Sequence, residues 1–274
     1  MVRGKALFFG MTVVLACLMA LGGRFASAAG AVVVTPSNPG GWNMADTRPG
    51  GAVNFVADSI APSGAGALQL TTDATTTSKA QYIHDASGSL VDVSDLSYYA
   101  KQNAANIPEG DASYQLLINA NGPAGGFTTL VYEPYWNGTV LAGAWLSWDV
   151  DAGQFWSSRS VTCSNGALVG GAGGPPLYTL DQVKMACPEA EVLGFGVNVG
   201  SNNPSYDVEV DQVNFNGTVY DFELDAPTPT PTPSVRLPES KDACKDGGWQ
   251  GLTRDDGSLF KNQGDCIQLV NTGK

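Results

Sequence analysis

The sequence predicts an all-β protein: an antiparallel β-sandwich of jelly-roll type with one short helix, followed by a small disulfide-closed C-terminal module. Three observations predict it. Residues 29–225 are rich in Gly, Val, Thr, Ser, Asn and aromatics and poor in Lys and Glu, a composition of strands and turns. Short apolar or alternating runs follow one another there, punctuated by Gly, Pro, Asn or Asp. Beyond them, a proline-threonine run separates a stretch too short to bury a core, and that stretch holds its own pair of cysteines.

In chain order, Arg3 and Lys5 open a basic start, an apolar run follows over 6–21, and Ala26-Ser27-Ala28 supplies an A-x-A site. This reads as a secretory signal over 1–28, cut after Ala28. The apolar run is shorter than a membrane span and is broken by Gly22, Gly23 and Arg24, so no stable span is expected after cleavage. Two alternatives stand beside this: a retained anchor, and lipidation of Cys17 after Val14-Leu15-Ala16. Export makes the protein secreted or extracellular, at the cell surface or in the periplasm. Losing Arg3, Lys5 and Arg24 leaves 11 basic residues against 26 acidic ones, a net charge near −15. Such a chain offers phosphates no basic patch, so nucleic acid is not expected as a partner.

The runs read as strands are 32–34, 52–57, 67–72, 80–84, 96–101, 114–119, 127–133, 140–149, 155–161, 192–199, 207–215 and 218–222. Asn216-Gly217 between the last two is a hairpin signal, because a type I′ turn needs positive φ at both positions. One stretch, 179–186, reads as helix, with Thr179 and Gln182 forming a capping box and Pro188 stopping it. Four cysteines remain in the exported chain and allow three pairings; sequence proximity favours Cys163–Cys187 and Cys244–Cys266. Residues 226–240 form a Pro/Thr-rich linker, extended where proline alternates over 227–233. In residues 241–274, Trp249, Phe260, Ile267, Leu269 and Val270 are expected to cluster around the second bridge.

Two resemblances follow from these residues. Lys241, Cys244-Lys245-x-Gly247-Gly248-Trp249 and Phe260-Lys261-Asn262-Gln263-Gly264-x-Cys266 resemble a short cysteine module at the C-termini of secreted bacterial proteins. Here Thr253–Ser258 lengthens its loop. Val213-x-Phe215-Asn216-Gly217-Thr218-x-Tyr220-Asp221-Phe222-Glu223 is similar to the end of uncharacterised secreted bacterial β-sandwich proteins, as are 66–70 and 127–134. These resemblances imply a fold and carry no catalytic residue.

Chemistry-bearing residues are few. The one histidine, His84, has no nucleophile motif beside it, and four bridged cysteines leave zinc no ligand set. Glu133 and the row Asp207, Glu209 and Asp211 are the candidate carboxylates for a sandwich-fold glycoside hydrolase. Strand periodicity places the row on one face, opposite Val208 and Val210, and the same three side chains are candidate ligands for a structural calcium. No other cofactor is implied. Aromatic residues crowd 132–156. A hairpin turning at 151–153 would set Trp148 and Trp156 directly opposite each other, and Tyr135 and Trp136 sit on a loop between Pro134 and Gly138. Tyr135, Trp136, Trp148 and Trp156 are therefore the candidate sugar-stacking residues, with core packing as the competing role. The reading is a secreted, non-catalytic binding or surface-associated protein, with a polysaccharide or cell-surface glycan as its partner. A sandwich-fold glycoside hydrolase and a purely structural envelope or matrix protein are the alternatives.

Overall fold

The computed structural model describes residues 30–226 and 235–273. The expected signal segment and the alternating prolines lie outside the described residues. The chain divides into two compact units, which part between Asp225 and Ala226.

The larger unit is a sandwich of two seven-stranded sheets. In the first sheet β3 (Gly51–Ala57), β4 (Gly66–Thr72), β15 (Asp207–Phe215), β6 (Ser97–Ala104) and β9 (Leu146–Asp149) lie side by side. β16 (Thr218–Phe222) returns along the end of β15, through a turn in which Asn216 and Gly217 take φ of 52° and 80°. β1 (Val32–Val34) pairs with β16 in parallel, so one edge departs from the antiparallel pattern expected. Val208 and Val210 of β15 point inward, as alternation requires, and Gln212 bulges at φ 50° so that Val213 turns inward as well.

The second sheet runs β13 (Tyr178–Thr179), β10 (Gln154–Ser157), β8 (Phe127–Tyr132), β7 (Ser113–Asn119), β14 (Glu191–Val199), β5 (Ala80–Ser89) and β2 (Trp42–Asn43). Between the sheets lies one core, in which Tyr98, Tyr114, Leu116, Ile118, Leu130, Phe155 and Phe195 meet Leu68, Leu70, Val208 and Phe222. Trp42 stacks on Tyr82 at 5.4 Å and meets Phe195 and Phe222 edge-on.

Two expected strands break. Of 140–149 only Leu146–Asp149 pairs, and 155–161 divides into β10 and β11 (Val161–Thr162), which forms a small hairpin with β12 (Leu168–Val169). β9 and β10 are not a hairpin: they belong to different sheets. The reversal at 150–153 crosses the sandwich edge, held where Val150 N–H donates to Leu96 O at 2.8 Å and Asp151 Oδ1 accepts from Leu96 N–H at 3.0 Å. Trp148 therefore lies opposite Tyr98, and Trp156 opposite Val131.

Helix α1 (Pro134–Asn137) is a single turn, and helix α2 (Leu180–Ala186) carries the Thr179–Gln182 capping box on both sides. Cys187 at its end bridges Cys163, with Cα atoms 5.1 Å apart.

The smaller unit winds around the Cys244–Cys266 bridge, Cα atoms 5.8 Å apart. Phe260 is buried against both cysteines, and Trp249, Leu252, Ile267, Leu269 and Val270 pack around them. Its helix α3 (Gln263–Thr272) is capped by Asn262, whose side chain accepts from Asp265 N–H at 2.9 Å. The chain from Arg236 is already tied in: Arg236 and Thr253 exchange two hydrogen bonds, Thr253 N–H to Arg236 O at 2.8 Å and Arg236 N–H to Thr253 Oγ1 at 2.7 Å.

A groove across the second sheet

Alternate residues of the second sheet face away from the core, and there they form the floor of a groove of about 710 Å3. Register fixes its rows. Across the middle run Trp156, Val131, Gln115, Gly196 and Ile83, one from each of β10, β8, β7, β14 and β5. One row along, Ser113, Asn198 and Gln81 lie abreast. On the other side Thr129 and Leu117 are neighbours. Five strands at ~4.8 Å spacing give a floor ~19 Å wide, long enough for several sugar rings in line.

The sequence of β14 explains the hollow. Gly194 and Gly196 alternate with Phe195 and Val197, so the inward positions are bulky and the outward ones have no side chain. A Cβ on Gly196 would lie 2.8 Å from Ile83 Cγ2, which leans across it, and 2.3 Å from Tyr82 O. Any larger residue would lift the floor.

The floor is pre-organised. Asn198 Nδ2 donates to Gln81 Oε1 at 3.2 Å, and Ser113 Oγ donates to Asn198 O at 3.1 Å. Gln81, Ser113, Gln115 and Asn198 are all less than a tenth exposed, so their positions are set before any ligand arrives. Gln115 is the one with no protein hydrogen bond through its side chain among these contacts. Trp156 lines one wall, with its indole N–H buried and turned toward the Glu133 carboxyl. Arg48 and Lys79, ion-paired with Asp46, border the β5 end. Arg159 borders the other end, its guanidinium 5.3 Å above the Phe127 ring.

Glu133, Gly173 and Asn203 also line a second recess of about 240 Å3, with Asp111, Tyr135, Trp136 and Tyr206. Here α1 presents Tyr135 and Trp136, 45% and 40% exposed, rings edge to face at 4.6 Å. Asn137 straps this turn to β10: its amide donates to Glu133 O at 2.9 Å and Gln154 O at 3.0 Å, and its carbonyl accepts from Gln154 N–H at 2.7 Å. Burial raises the Glu133 carboxyl, partly offset by the indoles of Trp156 and Trp136. Burial pushes Asp111 up to about 7 against the opposing effect of its hydrogen bond from Ala112 N–H, and its Oδ2 is buried without a partner.

The residues expected at the site separate. Glu133, Tyr135, Trp136 and Trp156 gather around the groove and recess. Trp148 does not: it packs in the core, 7% exposed, because β9 belongs to the first sheet. Asp207, Glu209 and Asp211 lie on the outer face of the first sheet, on the far side of the core from Glu133, so the acids cannot work together. Among the described residues no three His, Cys, Asp or Glu side chains gather to hold a metal ion. Each acid of the row already has protein partners. Asp207 accepts from Gln69 at 2.9 Å, Glu209 pairs with Lys101 at 2.8 Å, and Asp211 accepts from Phe222 N–H at 3.0 Å. Burial, opposed by its backbone hydrogen bonds and reinforced by Asp221, raises the Asp211 carboxyl to about 7.

Sequence reasoning missed Asp111, Phe127, Arg159 and the polar floor. The one signal for that floor was the G-F-G-V-N-V alternation of 194–199, which marks a flat outer face.

No helix among the described residues is long and apolar enough to cross a membrane. No family model and no curated protein matches the chain. Among solved structures it is similar to a family 11 carbohydrate-binding module from Clostridium thermocellum in complex with a β-1,3-1,4-mixed-linked tetrasaccharide. That match has 12% identity over 67% of this chain and 91% of that one, with a TM-score of 0.38. It is also similar to a CBM22-1 xylan-binding domain from Paenibacillus barcinonensis, 16% identical over 64% and 83% of the two chains, TM-score 0.28. These are distant resemblances, and the groove is read from its own residues.

Proposed function

We propose that this is a secreted, non-catalytic protein that holds a polysaccharide chain in the groove of the second sheet. The observation that carries the reading is the floor itself: five strands wide, with a row of amide and hydroxyl groups, Ser113, Asn198 and Gln81, across three of them and an indole at the wall. Sugars need both parts. Their hydroxyls take directed hydrogen bonds from Asn, Gln and Ser, and the apolar faces of their rings lie on aromatic rings. Because the floor is held by its own hydrogen bonds, little ordering entropy is lost on binding. The two disulfides support an oxidising, extracellular setting.

Affinity electrophoresis through gels containing a panel of polysaccharides tests this. At least one polymer is expected to retard the chain, and W156A to abolish the retardation while remaining folded. Normal mobility in every polymer, together with a blank glycan array, would leave the purely structural role.

One observation favours a hydrolytic second reading: Asp111 and Glu133, both raised by burial, line one recess beside exposed aromatics. Glycoside hydrolysis needs two carboxyl groups, one of them protonated near neutral pH. Release of reducing ends that is lost in both E133Q and D111N would establish it.

A further inference from the structure

The sandwich is acidic almost everywhere: residues 30–226 hold 20 carboxylates and five basic side chains, Arg48, Lys79, Lys101, Arg159 and Lys184. Three of the five, Arg48, Lys79 and Arg159, line the groove, where only two carboxylates, Asp46 and Glu133, accompany them. The other two are occupied elsewhere. Lys101 is held between Asp58 and Glu209, and Lys184 donates to Val93 O at 2.6 Å and lies 3.8 Å from Asp181. The groove thus gathers three of the five basic side chains of the sandwich where only two carboxylates accompany them.

The disposition of these cations matters as much as their number. Arg48 and Lys79 share the single carboxylate Asp46, which leaves that end with an excess positive charge. At the opposite end Arg159 has no carboxylate partner among the described residues. Its backbone is anchored, with its N–H donating to Thr128 Oγ1 at 3.1 Å, and its guanidinium rests over Phe127, which is 38% exposed. An arginine spread on an aromatic face keeps its N–H fork directed sideways, the geometry that grips a carboxylate or sulfate bidentately. Between the two ends lies the uncharged floor of Gln81, Ser113, Gln115 and Asn198.

We propose that the groove selects an anionic polysaccharide, a chain carrying carboxylate or sulfate groups spaced so that two of them meet the Arg48–Lys79 end and Arg159 while the sugar rings cross the floor. This rests on the reading of the groove as a glycan site and specifies its ligand class. The surrounding negative field repels polyanions everywhere else on the sandwich, so such a chain is steered to this one strip.

Matched polymers test it. Binding of the mature chain is measured by titration calorimetry against polygalacturonate and its carboxyl-reduced form, and against a sulfated galactan and its desulfated form. A single-stranded DNA serves as a phosphate polyanion. The expected result is binding to at least one charged polymer, ~10-fold or more weaker to its neutral counterpart, and weakened by salt. Whether the carboxylated or the sulfated member binds identifies the anion. R159Q and the R48Q/K79Q pair are expected to lose ~10-fold or more on the charged polymer. Both should melt like the parent, and W156A should lose binding altogether. Equal binding to charged and neutral partners, abolished by W156A but indifferent to R159Q, would overturn the anionic preference and leave the glycan groove standing. No binding to any of the four polymers or to neutral glycans would overturn both. Binding of DNA as tight as that of the glycan would overturn selection for a polysaccharide.

Discussion

The outer face of the first sheet and that of the second both carry polar side chains at alternate strand positions, and they dispose of them differently. On the first sheet the charged groups of one cluster are tied to each other. Lys101, 8% exposed, sits between Asp58 and Glu209, with the Trp145 indole donating to Asp58 at 2.9 Å and its ring 5.3 Å from the Lys101 ammonium. Burial alone would raise the Asp58 carboxyl, but Lys101, Ile60 N–H and the Trp145 N–H hold it well below the ordinary range. On the second sheet the middle of the floor is uncharged, with Gln81, Ser113 and Asn198 fixed by each other and by the backbone, and it opens to a groove. Charges that pair with one another are no longer free to meet a ligand. A face of amides and hydroxyls around two glycines retains hydrogen-bonding capacity and room.

Mutation should separate the two faces. The largest effect is expected from K101M, which strands two buried carboxylates and should cost about 3–5 kcal/mol of stability without changing glycan affinity per folded molecule. Denaturant titration alongside a binding isotherm measures both; a variant as stable as the parent would mean that the first face is not held by this cluster. W148A should cost a similar ~3–5 kcal/mol, because it empties a core site between Tyr98 and Gly138. W156A, on the groove wall, should cost less, about 1–2 kcal/mol, while removing binding, since its side chain keeps some exposure to the groove where Trp148 is buried in the core. If the two tryptophans prove interchangeable in stability and binding, the distinction between core and groove fails.

A subtler contrast is in pH. The folded state holds the Asp111 carboxyl near 7, above the ordinary range of an unfolded aspartate. A folded state that binds its proton more tightly is favoured at low pH, so this contribution is fully present below the unfolded pKa and is lost as pH rises through about 7. Between pH 5 and 8 the sandwich should therefore lose stability, with Asp211 acting in the same direction. D111N should remove about 1–3 kcal/mol of that slope. Glu133 and Tyr206 share the recess with Asp111, so the comparison is best made against E133Q and Y206F backgrounds. A melting temperature that rises from pH 5 to pH 8 in the parent, or an unaltered slope in D111N, would count against a buried protonated Asp111.

Much of the fold was legible because it is encoded locally. The strands 207–215 and 218–222 follow from alternation and an Asn-Gly turn whose φ requirement few other pairs meet. The helix over 180–186 follows from a capping box that satisfies its first amides. Both disulfides join cysteines near in sequence, 24 and 22 positions apart. Glu133, Trp136 and Trp156 were legible as chemistry-bearing residues. Their neighbourhood was not, because it depends on which strands lie side by side. Alternation reports that Trp148 and Trp156 each face one side of a strand, but not that the chain crosses between sheets at 150–153. That crossing is decided by Leu96, more than 50 positions away in sequence, accepting Val150 and donating to Asp151. The groove is the extreme case: Trp156, Val131, Gln115, Gly196 and Ile83 come from five strands and share no local pattern. Composition and periodicity set how each segment folds; long-range pairing alone determines which outward-facing residues become neighbours, because only it brings distant strands side by side.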